Sequence, residues 1–125
     1  MPQVYVILDP QTMALFTDDE VMALGRKLIP LVEKRFDIVG KDDVAFTAVR
    51  AVATINEAAV QVEVRYTAGK DEYGRGEPFD PSEELQKVVA ESIKTACQTF
   101  FKDTGFPEYS VSVWPKPYYN SVFVD

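Results

Sequence analysis

The chain carries two hydrophobic rhythms, one of period two and one of period near four. "QVYVIL", residues 3–8, is apolar at successive positions, as a strand covered on both faces would be. "DPQTMALF" reads as a turn. Across "TDDEVMALGRKLIPLVEKRF", Val21, Leu24, Leu28, Leu31 and Val32 fall on one stripe and predict a helix. Thr17 and Glu20 have the capping-box spacing, Pro30 predicts a kink and Gly40 the stop. "DVAFTAVRAVATI" is rich in β-branched and small apolar residues and predicts a strand over 44–54. "NEA" turns the chain. In "AVQVEVRYT", Val60, Val62, Val64 and Tyr66 alternate with Gln61, Glu63, Arg65 and Thr67, so this segment and the preceding strand read as an antiparallel hairpin. "AGKDEYGRGEPFD" is polar loop, and its glycines do not follow a strand-turn-helix phosphate pattern. Asp80 as cap, Pro81 at the first helical position and Glu83 completing the box predict a second helix carrying Leu85, Val88, Val89, Ser92, Ile93, Ala96 and Phe100, closed by Gly105. "YSVSVW" predicts a last strand, ahead of the aromatic tail "PKPYYNSVFVD".

The order is β-α-β-β-α-β. Each half needs a right-handed crossover, which places both helices on one face of a four-stranded mixed sheet, an α+β fold. Residues 1–125 read as a single domain with halves at about 1–54 and 59–115. The other sheet face would carry Thr47, Ala51, Gln61 and Arg65. That mixture is too apolar in part for water and too polar for a core, which predicts a subunit interface.

Composition narrows the chemistry. Thirteen Lys and Arg against twenty Asp and Glu give a formal charge of −7, which repels a phosphate backbone and argues against a nucleic-acid partner. No apolar stretch reaches the roughly 18 residues of a membrane span and no cleavable leader is evident, so a cytoplasmic protein with no membrane partner is expected. Cys97, the single cysteine, reads as a small core residue. The chain has no histidine, which removes imidazole-based serine and cysteine mechanisms and most zinc sites. Neutral-pH proton transfer is then left to a shifted carboxylate, a lysine, a tyrosine or the amino terminus, whose reference pKa is about 7.7 to 8.0. Pro2 therefore has two readings: a strand start where a sheet tolerates proline, or a base. The acid pairs Asp42–Asp43 and Glu83–Glu84 read as caps and solubilising charge rather than a metal site. Strand two runs parallel to strand one and strand three antiparallel to it, so the start of one and the end of the other lie near Pro2. This nominates Lys41 and the segment Ala68, Gly69 and Lys70, from which a lysine would lower the amine pKa and hold an enolate oxygen.

Four stretches resemble the tautomerase superfamily, which includes 4-oxalocrotonate tautomerase, 5-carboxymethyl-2-hydroxymuconate isomerase and macrophage migration inhibitory factor. They are "MP" opening into strand one, "GKDDVAF", "YTAGK", and the ending "YNSVFVD". The resemblance implies that the initiator methionine is removed and that the secondary amine of Pro2 moves a proton between carbon and oxygen without a cofactor; some relatives use the proline in dehalogenation by hydration. It implies a small carbonyl or carboxylate substrate and a homotrimer, and it points again to Lys41. Arg50, in "TAVRAV", is similar to an arginine of 4-oxalocrotonate tautomerase. It lies roughly 23 Å along the strand from Pro2, at about 3.3 Å per residue, and so would serve a neighbouring subunit or else pair with an acid such as Glu63. Trp114, Tyr118 and Tyr119 would supply an apolar wall. The competing expectation is a non-catalytic oligomeric binding module on the same scaffold. A retained Met1 would favour it, because it makes the Pro2 nitrogen a tertiary amide without basicity.

Overall fold

A computed structural model describes residues 2–36, 44–55, 57–68 and 81–119, with side chains throughout except at 12–14, 67–68 and 117–119. The elements are β1 (Gln3–Leu8), α1 (Pro10–Leu15), α2 (Asp18–Arg35), β2 (Ala45–Arg50), β3 (Val60–Ala68), α3 (Glu83–Thr104) and β4 (Val111–Tyr119). The strands form one sheet in the order β2-β1-β3-β4. β1 is parallel to β2 and antiparallel to β3, and β3 is parallel to β4. The fold is thus the α+β arrangement expected, with one short helix added.

Alternation within the strands decides which face is buried. Val4, Val6 and Leu8 of β1 and Val60, Val62 and Val64 of β3 are at most 1% exposed, packed with Leu24, Leu28 and Val32 of α2 and Val89, Ile93 and Cys97 of α3. Each such aliphatic side chain stabilises the fold by about 1.5 to 3 kcal/mol before chain entropy is counted. At the Leu8 end, Phe16 sits against Phe100, Phe101, Phe106 and Tyr109, with ring centroids 4.5 to 6.3 Å away.

The termini of α2 and α3 follow local chemistry. Thr17 and Glu20 close a reciprocal capping box on α2, whose first turn holds Asp18, Asp19 and Glu20 and whose last turn holds Lys34 and Arg35, each matching the helix dipole. Gly105 ends α3 at φ 79, a conformation that spares glycine a Cβ penalty.

Several boundaries differ from expectation. "PQTMAL" forms α1 instead of a turn, with Pro10 at the first helical position, where its missing N–H is no loss. α2 ends at Arg35 with Phe36 as cap, so the stop precedes Gly40, which lies outside the described residues. β2 ends at Arg50 rather than 54. Ala51 donates to the Leu8 carbonyl at 2.9 Å, and past Leu8 its neighbour turns into α1, which leaves Val52 and Ile55 98% and 82% exposed. β2 and β3 are antiparallel but do not pair with each other, because β1 lies between them. The cap of α3 is Ser82, whose hydroxyl accepts from the Leu85 amide at 3.1 Å; Asp80 lies outside the described residues. β4 runs on through Pro115 and Pro117 to Tyr119, which an edge strand permits because its outer N–H groups need no partner in the sheet. No described helix is long and apolar enough to cross a membrane.

Candidate functional site

Pro2 heads the central strand. It is buried, and its carbonyl accepts from the Ala45 amide of β2 at 3.1 Å. Continuing the β1 register by one position sets Pro2 between Val44 on the β2 side and Tyr66 on the β3 side. Both are buried, and Phe36 packs on the Tyr66 ring at 5.4 Å between centroids. An amine in such apolar surroundings is poorly solvated as an ammonium ion, so desolvation favours its neutral, proton-accepting form.

The other candidates are distributed unevenly. Lys41 and Lys70 fall outside the described residues. Arg50 stands opposite Leu8, six positions from Pro2 and roughly 20 Å away at about 3.3 Å per residue, so one chain does not bring the two together. Its guanidinium pairs with Asp18 at the start of α2, not with Glu63, which lies on the opposite sheet face. The pair stands at the mouth of a cleft of about 210 Å³ between α2 and β2, floored by Leu8, Phe46 and Ala48. Trp114 lies on the helix-free sheet face, in register with Glu63, 54% exposed, its indole N–H donating to Ser112 Oγ at 3.2 Å. Tyr119 ends β4 opposite Ala68, past the Pro2 row of the sheet.

The helix-free face also holds a charged group that sequence reasoning missed. Glu63, only 9% exposed, receives Arg65 on Oε2, at 2.8 Å from Nε and 2.6 Å from Nη2, and Lys116 Nζ on Oε1 at 2.6 Å. The Arg65 guanidinium lies 3.8 Å from the centre of the Tyr5 ring. Burial raises the Glu63 carboxyl, and the hydrogen bonds and charges of Lys116 and Arg65 outweigh it, leaving the group below its ordinary range. The alternation of β3 shows Glu63 and Arg65 on one face, but Lys116 sits beyond the point where the sequence pattern ends the last strand. Among the described residues no cluster of three or more His, Cys, Asp or Glu side chains is arranged to hold a metal.

Solved structures share this arrangement from end to end. A fused 4-OT described as an asymmetric trimer superposes with a TM-score of 0.67 over 98% of this chain and 91% of its own, at 11% identity. A 5-carboxymethyl-2-hydroxymuconate isomerase from Deinococcus radiodurans gives 0.63 over 99% and 87%, at 15% identity. A malonate semialdehyde decarboxylase gives 0.62 over 98% and 89%, at 12% identity. This is the tautomerase fold. No family model and no curated protein matches the sequence, so the likeness is one of backbone. In the tautomerase fold of this chain, the two strands beside β1 bring Val44 and Ala68 to the end where Pro2 sits.

Proposed function

We propose that this protein is a cofactor-independent keto-enol tautomerase in which Pro2, freed of Met1, is the general base for a small enolisable keto acid. The supporting observation is the buried position of Pro2 at the head of the central strand of a tautomerase fold, between Val44 and Tyr66. The amine nitrogen takes the proton from the carbon next to the carbonyl, the C–H electron pair moves into the enolate, and the same nitrogen returns the proton at carbon or oxygen. Lys41 or Lys70 holds the developing enolate oxygen. Arg50 of a neighbouring copy receives the substrate carboxylate, with Trp114 and Tyr119 contributing apolar wall, and the assembly is a homotrimer.

The test combines intact mass with turnover of phenylenolpyruvate. Loss of Met1, with turnover that falls by about 10² to 10⁴-fold in Pro2→Ala, is the expected result. A processed protein without turnover, or a Pro2→Ala variant as active as the parent, sinks the proposal.

A further inference from the structure

Glu63 is a buried carboxylate on a sheet face that none of the described helices covers, and both of its oxygens are engaged by cations. Those cations stand close to the head of β1. Arg65 is opposite Gln3, and Lys116 is opposite Arg65 on the next strand, so both occupy the row beside Pro2. Glu63 itself is three positions from Tyr66, which shares the Pro2 row, or roughly 10 Å at about 3.3 Å per residue.

We propose that Glu63 is a positioning residue for proton transfer: by tying down Arg65 and Lys116 it fixes the charge that the Pro2 amine meets, and so the pH at which that amine loses its proton. The inference rests on the reading of Pro2 as the base.

The electrostatics follow from counting charges. Among the described residues, one carboxylate and two cations leave a net charge of +1 in this network. Removing the carboxylate raises it to +2, and removing Lys116 lowers it to 0. Positive charge disfavours an ammonium ion, so the first change lowers the amine pKa and the second raises it. At roughly 10 Å, and an effective dielectric between about 20 and 80, one unit charge is worth about 0.3 to 1 pH unit. The other ionisable groups that face this network among the described residues are constant between the variants. Tyr5 of β1 lies under the Arg65 guanidinium, Tyr66 of β3 is on the helix side of the Pro2 row, and β2 contributes no ionisable side chain to this face. Because Lys116 and Arg65 hold the Glu63 carboxyl below its usual range against the opposing effect of burial, it is charged throughout the interval in which an amine titrates.

The experiment measures the pH profile of kcat/KM for phenylenolpyruvate and, independently of turnover, the ¹⁵N resonances of proline-labelled protein. Of the eight prolines, only an amino-terminal one has a nitrogen that titrates. Glu63→Gln is expected to move the acid limb and the amine resonance to lower pH by about 0.3 to 1 unit, and Lys116→Met to move both to higher pH. Lys116 is 46% exposed at a sheet edge, so its variant gives a result even if Glu63→Gln fails to fold. A merely structural role for Glu63 would not shift the two variants in opposite directions. An amine that titrates but moves in neither variant, or in the same direction in both, overturns this inference alone. A processed parent with neither turnover nor a titrating amine overturns the Pro2 reading as well.

Discussion

Glu63 ties the stability of the fold to acid. Burial alone would raise its carboxyl, but Lys116 and Arg65 prevail and the folded pKa lies below the ordinary range. A depressed carboxyl contributes stability that is present above the unfolded pKa and is lost as pH falls through the folded one. Glu63→Gln should therefore be less stable than the parent by about 1 to 3 kcal/mol at pH 7, with the gap closing towards pH 3 in urea unfolding; a gap that widens in acid would refute the assignment. Cys97 behaves oppositely. Its thiol is fully buried, and burial pushes its pKa up to about 12, so alkylation by iodoacetamide at pH 8 should proceed only at the rate of unfolding. Tyr109 carries a buried hydroxyl with no hydrogen-bond partner among the described residues. Tyr109→Phe keeps the ring against Phe16 and Phe101 and should raise stability by about 1 kcal/mol, read as an upward shift in Tm.

Among the elements, α2 and β2 pack closely where Gly25 faces Phe46. Gly25 is buried in α2, and a Cβ added there would lie 2.6 to 2.8 Å from the Phe46 ring. Alanine would gain up to about 1 kcal/mol of helix propensity, while overpacking costs about 1 to 3 kcal/mol. Gly25→Ala should therefore destabilise on balance, and Phe46→Leu in the same chain should restore part of the loss, as a double-mutant cycle in chemical denaturation would show. The two long helices and the alternating strand were readable in the sequence because Leu24, Leu28 and Val32, or Val60, Val62 and Val64, share one buried face. What misled were elements governed by tertiary partners. β2 stops at Arg50 because β1 offers nothing past Leu8, and β4 passes through two prolines because it lies at an edge; neither fact is written in the local pattern.

At the scale of the molecule, the strand order separates what the sequence could and could not say about the site. Pro2 was nominated by elimination of histidine and by strand direction, and the register agrees that it heads the central strand. The ion network of Glu63 escaped because it joins two strands whose pairing depends on the whole sheet. If the proposed trimer forms, the helix-free face, with Trp114 half exposed beside that network, is the surface to test for it. Trp114→Glu should lower the mass measured by light scattering towards that of one chain while leaving the far-ultraviolet circular dichroism unchanged; an unaltered mass would move the interface elsewhere.

The central place of the first strand also governs how the chain must be made. β1 leaves the ribosome ahead of the strands it pairs with, and its second partner is complete only when Ala68 has been added, 60 residues after Leu8. At about 5 to 20 residues per second, "QVYVIL" waits roughly 3 to 12 s with at least one edge unpaired. It is six residues long, β-prone and uncharged, the composition that assembles into intermolecular sheets. Pro2 before it and Asp9–Pro10 after it are the residue types that block such stacking. The same proline that heads the central strand of the folded protein thus guards the nascent one against aggregation.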